Sequence, residues 1–552
     1  MQYPKIPLAQ SIIEICRLKG ITNIIISPGS RNAPLTLGFV ANSAFQCFSV
    51  ADERCAAFFA LGIAQQTQKP TALVCTSGSA LLNYYPAVAE AFYSQIPLIV
   101  LSADRPTDKI DIGDGQTIRQ ENVFANHSLF NANLSEDASA DNDLLINTAI
   151  NTAIEQKGPT HINIPFEEPL YEMTDELIVQ PNIYEPFFNK KKSELDYSFY
   201  ANKWNAAKKK LIVVGVDNPN TITEEISGFL ADSNSVVVLI ETTSNLHHPK
   251  FINTIDTIIT PFTENDFKNW QPDILITFGG MIVSKRIKAF LRKYQAKEHW
   301  HIDELRFYDT FGFLTDSIIA KPVNFFQNLM PLVKSIESDY NAMAQKIKRQ
   351  RLQKAKEYLK TIPFSDFKAF QTILQTLPKN IQLQISNSSA IRYAQLFDIE
   401  KSIEVFCNRG TSGIDGSTST AIGAAFASDK PTIFLTGDIS FFYDSNALWN
   451  SYIPKDFKII VINNGGGGIF RILPGHKETP VFNQFFETSH CLTAEHLAKM
   501  FGFKYSIASD KNSLKQSLQD LYSENNQPAI LEVFTPTLQN DIYLLDFFKN
   551  LV

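Results

Sequence analysis

Long apolar runs, paired cysteines and an excess of positive charge are all missing from this chain, and each absence removes a class of function. The apolar stretches, such as IPLIVL at 96–101, fall far short of the ~20 residues needed to span a bilayer. The six cysteines, Cys16, Cys47, Cys55, Cys75, Cys407 and Cys491, form no CxxC pair. That argues against a zinc ribbon or a disulfide framework and fits thiols used as small core residues in a reducing compartment. Fifty Lys and Arg against 57 Asp and Glu leave a net charge of −7, the wrong sign for a general nucleic-acid binder. It leaves room for a local basic pocket that takes an acidic small molecule. The opening segment MQYPKIPLAQSIIEIC carries Glu14 and lacks the charged-then-apolar order of a secretory leader. The expectation is a cytoplasmic protein with neither nucleic-acid binding nor membrane insertion.

What is present is an ordinary globular composition, 44% hydrophobic and 19% charged, over 552 residues. At roughly 100–200 residues per domain this is about three domains. Apolar runs punctuate the whole chain: NIIIS (23–27), TALVCT (71–76), IPLIVLS (96–102) and HINI (161–164), then KLIVVGV (210–216), SVVVLIE (235–241) and DILITFGG (273–280), then IQLQIS (381–386), PTIFLTGD (431–438), FKIIVINN (457–464) and PAILEVF (528–534). They are continuous rather than alternating, as in parallel strands covered on both faces. Helix-like segments such as CAAFFALGIAQQ (55–66) lie between them. A polar stretch at 171–198 reads as a linker, and the basic stretch NAMAQKIKRQRLQKAKEYLK (341–360) as a solvated helix joining two domains. The expected fold is therefore α/β, three doubly wound parallel-sheet domains in series, at 1–180, 195–350 and 360–552. Ligands of such sheets bind beyond the carboxyl ends of the strands.

Two of those strand ends carry chemistry. Gly437-Asp438 closes one run, and Asn463-Asn464 followed by four glycines closes the next. A carboxylate and a carboxamide brought together in this way are hard oxygen ligands suited to Mg²⁺, and glycines let a backbone approach a diphosphate closely. GD and NNG are also common turn pairs, so each alone is weak. Together, at this spacing, they resemble the thiamine-diphosphate signature, with Ile439 standing where the generic pattern has glycine. That resemblance implies a metal held by Asp438, Asn464 and the Gly466 carbonyl, with Mg²⁺ or Mn²⁺ as the ion. It also implies a Glu from another domain beside the aminopyrimidine ring. Glu53, at the head of the apolar helix in ADERCAAFFALGIA (51–64), is the candidate. An acid at a helix start is otherwise explained by the helix dipole. A buried Glu can share a proton near neutral pH, and the thiazolium then acts as electron sink.

The loop SPGSRNAPL (27–35) resembles a phosphate cradle but is not GxxxxGK[ST]. Its Arg31 is free to grip a carboxylate, which a guanidinium does bidentately. Other loops add Arg105, Gln116, Lys285, Arg286, Asn387, Ser388, Arg392 and Arg409. Any one of them fits an ordinary surface residue; the set suggests substrates rich in carboxylates. With TSGSALLNYYPAVAEA (76–91), SADRP (102–106), NRGTSGIDG (408–416) and GDISFFYD (437–444), the chain resembles the 2-succinyl-5-enolpyruvyl-6-hydroxy-3-cyclohexene-1-carboxylate synthases of menaquinone biosynthesis, whose GD is followed by an apolar residue. The resemblance covers all three units. It implies thiamine diphosphate as cofactor, isochorismate and 2-oxoglutarate as substrates, and a homodimer or homotetramer with active sites between subunits. It places Arg392, Arg409 and Ser388 toward the succinyl end, with Asn387 among the substrate contacts. Ser30, Arg31, Arg105, Gln116, Lys285 and Arg286 go toward isochorismate or the carboxylates generally. Ile414 becomes the wedge that bends the cofactor, Gly437, Ile439 and Ser440 its contacts, and Ile469, Phe470 and Leu473 the pocket wall. The rival readings are an acetolactate-synthase-like carboligase or 2-oxoacid decarboxylase, and a nucleotide-binding module using DILITFGG, which lacks GxGxxG.

Overall fold

Each continuous apolar run becomes a strand of a parallel sheet. The computed structural model describes residues 2–186, 195–472, 478–524 and 526–552. In the first domain β1 (Asn23–Ile26), β2 (Gln46–Ser49), β3 (Thr71–Cys75), β4 (Leu98–Asp104), β5 (Phe130–Asn133) and β6 (Thr160–Pro165) lie in the order β2-β1-β3-β4-β6-β5. Two helices of this domain face the third domain, α1 (Glu53–Thr67) and α2 (Tyr85–Ser94). The middle domain holds β7 (Lys210–Val214), β8 (Val236–Ile240), β9 (Ile274–Phe278), β10 (Glu298–Asp303) and β11 (Asp316–Ile319) in the order β8-β7-β9-β10-β11. Helix α3 (Lys285–Lys293) comes after β9, and the basic stretch forms α4 (Tyr340–Thr361), which leads into the third domain.

The third domain repeats the first. Strands β12 (Gln382–Ile385), β13 (Glu404–Phe406), β14 (Thr432–Gly437), β15 (Lys458–Asn463), β16 (Lys504–Ala508) and β17 (Ala529–Phe534) run β13-β12-β14-β15-β17-β16. The helices that border its strand ends are α5 (Asp366–Thr376), α6 (Ser389–Ala394), α7 (Ser417–Ala427) and α8 (Asp438–Tyr443). Strand pairing is parallel throughout these three sheets.

The first and third domains meet where α1 crosses α7. Residues Cys55 to Ala64 of α1 are all buried, as an all-round apolar helix requires. A Cβ on Gly62 would lie 2.1 Å from the Thr420 carbonyl oxygen, and one on Gly423 would lie 2.0 Å from that of Phe59. The two backbones touch, and only glycine permits it. Phe48, Phe59, Phe426 and Tyr452 close the same junction with edge-on and tilted rings. The middle domain is joined to the third by Asn245, whose amide bonds the Val405 N–H (2.7 Å) and C=O (2.9 Å) on β13. Among the described residues no helix is long and apolar enough to cross a membrane.

Candidate active site

Sequence order brings the chemistry to one edge. Ser388 comes after β12, Arg409 after β13, Asp438 after β14 and Asn464 after β15, so all four project from the carboxyl side of one sheet. Asp438 is buried at the start of α8. Its Oδ1 accepts from the Ile439 N–H (2.7 Å), and its Oδ2 from Gly465 N–H (2.9 Å) and Gly466 N–H (3.0 Å). Gly465 has φ +77° and Gly466 φ +158°, values that let both amides turn toward one carboxylate. Asn464 Nδ2 donates to Asp366 Oδ2 at 2.9 Å, so its oxygen is the atom it can offer a cation. Burial raises Asp366 to about 6, with Asp438 adding to the shift and Thr535 and Asn464 opposing it.

The donor set fits a diphosphate bridged by a divalent cation. Each carboxylate oxygen and each carbonyl has a second lone pair, so Asp438 Oδ1 and the Gly466 carbonyl, which accepts the Gly468 N–H at 3.0 Å, retain capacity for a metal. A Cβ on Gly437 would meet nothing within 4 Å, which leaves the end of β14 open to a ligand. Ser440 Oγ donates to the Ile414 carbonyl at 2.7 Å, tying α8 to the loop that carries the expected wedge. Ile469 and Gly468 line a small cavity together with Arg392, Ser389 and Asp366. Phe470 stands against Phe486. Leu473 lies outside the described residues.

The cations gather in two groups. Arg392, on α6, is depressed by burial and by Arg409, and it shares the field of Asp256 and Glu241. Arg409 Nη1 donates to Asn387 Oδ1 (2.7 Å), while its Nε is buried without a hydrogen-bond partner among the described residues. Asn387 Nδ2 donates to the carbonyls of Asn408 and Gly413, both at 2.7 Å. Its amide is thus occupied in shaping the Arg409 loop rather than turned to a ligand. Ser388 sits at φ +65°, a left-handed backbone that costs about 1–3 kcal/mol in a non-glycine residue and tends to mark functional sites. Lys285 and Arg286 open α3, and the Arg286 guanidinium lies 4.8 Å from the Phe548 ring centre.

The second group belongs to the first domain. Arg31 is only 4% exposed; it donates to the Phe166 carbonyl (3.0 Å) and to Glu168 (3.3 Å), and its Nε has no partner among the described residues. Burial and then Arg105 depress it. Arg105 Nε donates to the Gly115 carbonyl at 2.8 Å, and Gln116 holds φ +56° beside Gly78. Ser30 accepts the Ala33 N–H at 3.1 Å through its carbonyl.

Glu53 is half-buried at the start of α1. Burial pushes its carboxyl above the ordinary value and Asp52 adds to that, while its own N–H and the Asn83 side chain draw it back. Its neighbours in the chain fix the helix head that carries it. Arg54 donates to the Tyr443 carbonyl (3.0 Å), and Asn446 donates to Asp52 (2.8 Å). The head of α1 is therefore moored at the far end of α8, roughly 8 Å of helix rise from Asp438. No hydrogen bond or ion pair among the described residues joins Glu53 to Asp438, Asn464 or Gly466.

Four functional neighbours carry no motif that marks them in the sequence. Asp366 orients Asn464. His490 Nε2 lies 3.4 Å from Asp438 Oδ2, and the His490 backbone N–H donates to the Gly465 carbonyl at 3.0 Å. Glu241 accepts from Val283 N–H and Ser284 N–H, both at 2.7 Å, just ahead of Lys285. Glu90 accepts from the backbone after Arg409. Each acts through a contact distant in sequence. The one available signal is an acid set among apolar residues, as in AVAEAF and VVVLIE.

Comparison with known families matches this layout. Residues 6–127 match the N-terminal TPP binding domain of thiamine pyrophosphate enzymes, 184–385 the thiamine pyrophosphate middle domain, and 388–533 the C-terminal TPP binding domain. Fold and site thus define a thiamine pyrophosphate enzyme. The chain is 67% identical to a 2-succinyl-5-enolpyruvyl-6-hydroxy-3-cyclohexene-1-carboxylate synthase of Flavobacterium johnsoniae and 66% identical to that of Flavobacterium psychrophilum, with 100% of each chain covered in both cases. It is 35% identical to that of Bacteroides thetaiotaomicron over 98% of each. It belongs to the 2-succinyl-5-enolpyruvyl-6-hydroxy-3-cyclohexene-1-carboxylate synthase family.

Proposed function

We propose that this protein joins 2-oxoglutarate to isochorismate in menaquinone biosynthesis. The keto acid loses its C1 carboxylate as CO₂, and the four-carbon remainder adds to the ring alkene of isochorismate, giving 2-succinyl-5-enolpyruvyl-6-hydroxy-3-cyclohexene-1-carboxylate. The observation that carries the reading is that one sheet edge bears both an oxygen-donor cluster and two guanidinium groups in each other's field, Arg392 and Arg409. Both substrates are dianions, and bidentate guanidinium recognition suits them.

Bound thiamine diphosphate supplies the nucleophilic carbon and the electron sink that decarboxylation needs. Asp438, the Asn464 side-chain oxygen and the Gly466 carbonyl hold its cation, Mg²⁺ or Mn²⁺. Gly437, Ile439, Ser440, Ile469 and Phe470 form its surroundings, with Ile414 as the apolar support. Glu53 holds a proton at the pyrimidine ring nitrogen, a task suited to a carboxyl raised by burial. Arg392, Arg409 and Ser388 take the distal carboxylate of 2-oxoglutarate, with Asn387 bracing Arg409. Arg31, Arg105 and Gln116, with Ser30, Lys285 and Arg286, take the carboxylates of isochorismate. Because no hydrogen bond or ion pair among the described residues joins Glu53 to Asp438, the reading includes a homodimer or homotetramer in which Glu53 of one copy faces Asp438 of its neighbour. A cytoplasmic location suits these soluble substrates.

The direct test supplies purified protein with thiamine diphosphate and Mg²⁺. Isochorismate should disappear only when 2-oxoglutarate is present. Turnover of 2-oxoglutarate at a rate indifferent to isochorismate would instead indicate a decarboxylase or an acetolactate-synthase-like carboligase.

A further inference from the structure

Glu90 lies on α2 of the first domain, 1% exposed, and forms no ion pair among the described residues. A buried carboxylate without a cation must be satisfied by hydrogen bonds, and this one is. Its Oε1 accepts from Ser94 Oγ (2.7 Å) and Gly410 N–H (2.7 Å). Its Oε2 accepts from Thr411 N–H (2.6 Å) and Thr411 Oγ (2.8 Å). Three of the four donors belong to the third domain, in the two residues directly after Arg409. The approach is close: a Cβ on Gly410 would lie 2.6 Å from the Glu90 carbonyl oxygen and 2.8 Å from Ser94 Oγ.

The loop at 408–413 is gripped from both sides. On one side Asn387 holds the Arg409 guanidinium and the carbonyls of Asn408 and Gly413. On the other, Glu90 holds the amides of Gly410 and Thr411. Without Glu90 those two N–H groups would lose the carboxylate that holds them to the first domain. The loop would have to turn, and Arg409 would turn with it, as would the Ile414 carbonyl that Ser440 holds at the loop's end. We propose that Glu90 is a positioning residue for substrate binding: a carboxylate of the first domain that sets the direction of Arg409 in the third. It touches neither substrate nor cofactor, and its action rests on the reading of Arg409 as a ligand of 2-oxoglutarate.

The test compares Glu90→Gln, Arg409→Lys and the double variant in the holoenzyme, reading KM for each substrate, kcat and thiamine diphosphate affinity. The amide of Glu90→Gln turns one acceptor into a donor aimed at the loop. It should raise KM for 2-oxoglutarate about tenfold, with cofactor affinity and KM for isochorismate within about twofold. In the double variant the two effects should not multiply, since coupled residues deviate from additivity. Glu90→Asp, which keeps the charge, should recover part of the loss. An unchanged KM for 2-oxoglutarate in Glu90→Gln, when Arg409→Lys raises it, overturns the positioning role alone. So does a variant that only lowers the thermal midpoint, or one whose effect multiplies fully with that of Arg409→Lys. An unchanged KM in Arg409→Lys overturns the assignment of Arg409 and the proposal with it. Should Glu90→Gln fail to fold, Thr411→Val removes one of the four hydrogen bonds and should show the same selective rise at smaller size; no rise there contradicts the proposal.

Discussion

Asp438 and Glu53 are the two carboxylates on which the proposed chemistry turns, and their surroundings differ sharply. Asp438 takes its hydrogen bonds from the next residue and from a loop 27 and 28 residues on. All of these lie on one sheet edge, and the cluster is complete within the third domain. Glu53 stands half-buried at the first sheet's carboxyl edge, on a helix head whose flanking residues Asp52 and Arg54 bond the third domain, with Arg31, Arg105 and Gln116 emerging from the same edge. Among the described residues no hydrogen bond or ion pair joins it to the Asp438 cluster. The difference teaches that the proposed diphosphate end is a local motif, whereas the proposed proton-handling end is read as acting against a neighbouring copy.

Three substitutions sharpen that contrast. The largest effect is expected for Asp438→Ala, which removes the acceptor of three backbone amides and the one carboxylate of the proposed metal set. Cofactor binding should lose its dependence on divalent cation, and turnover should fall below detection; calorimetric titration of thiamine diphosphate with and without Mg²⁺ measures the first. Glu53→Gln keeps the shape of the side chain and removes its proton chemistry. Cofactor affinity should stay near normal while kcat falls by about 10²–10⁴-fold, the usual contribution of a positioned acid–base group. Near-normal turnover in this variant would remove Glu53 from the mechanism.

The smallest effect concerns Glu241, the acid that holds the amides ahead of Lys285. Burial raises it from 4.5 to about 7, with Asp256 adding to the shift and the Val283 and Ser284 amides and Arg409 opposing it. The folded state therefore binds this proton more tightly than the unfolded chain does. The site's contribution to stability is fullest below about pH 4.5 and is lost as pH rises through about 7. Glu241→Gln should flatten that fall, measured as thermal midpoint against pH; an unaltered slope would contradict the shift.

How far the sequence can be read obeys the same division. The strands legible in the sequence, β1, β3, β4, β6, β7, β8, β9, β12, β14, β15 and β17, are covered on both faces apart from minor end residues. Those not legible, QCFS, FNAN, DSII, EVF and KYSIA, are all edge strands in their sheets. An edge is less enclosed, so its strand need not be continuously apolar. One inner strand is also hidden: β10 reads EHWHID. Its two histidines hydrogen-bond Thr277 on β9 (2.9 and 2.8 Å), a cross-strand arrangement invisible to a pattern of apolar residues. The helix at 341–360 emerges as α4 because its few buried positions, Tyr340, Ala344, Ala355 and Leu359, leave the basic face in water. Asp438 and Asn464 are legible because both close strands in one short stretch. Glu241 and Glu90 are not, because an acid that binds backbone amides has no charged partner to reveal it, and Asp366 is not, because its partners Asn464 and Thr535 lie 98 and 169 residues on. Glu90 and its loop are 320 residues apart.

The central claim is that the two regions meet between copies of the chain, and mixing two inactive proteins tests it. Glu53→Gln and Asp438→Ala are co-expressed with different affinity tags, and the doubly tagged oligomer is assayed for isochorismate consumption. If each site takes Glu53 from one copy and Asp438 from its neighbour, half the sites in a mixed dimer are intact, and activity should return to about half that of the unmodified dimer. A mixed dimer as inactive as its parents would show that both carboxylates must lie on one chain, and would contradict the account.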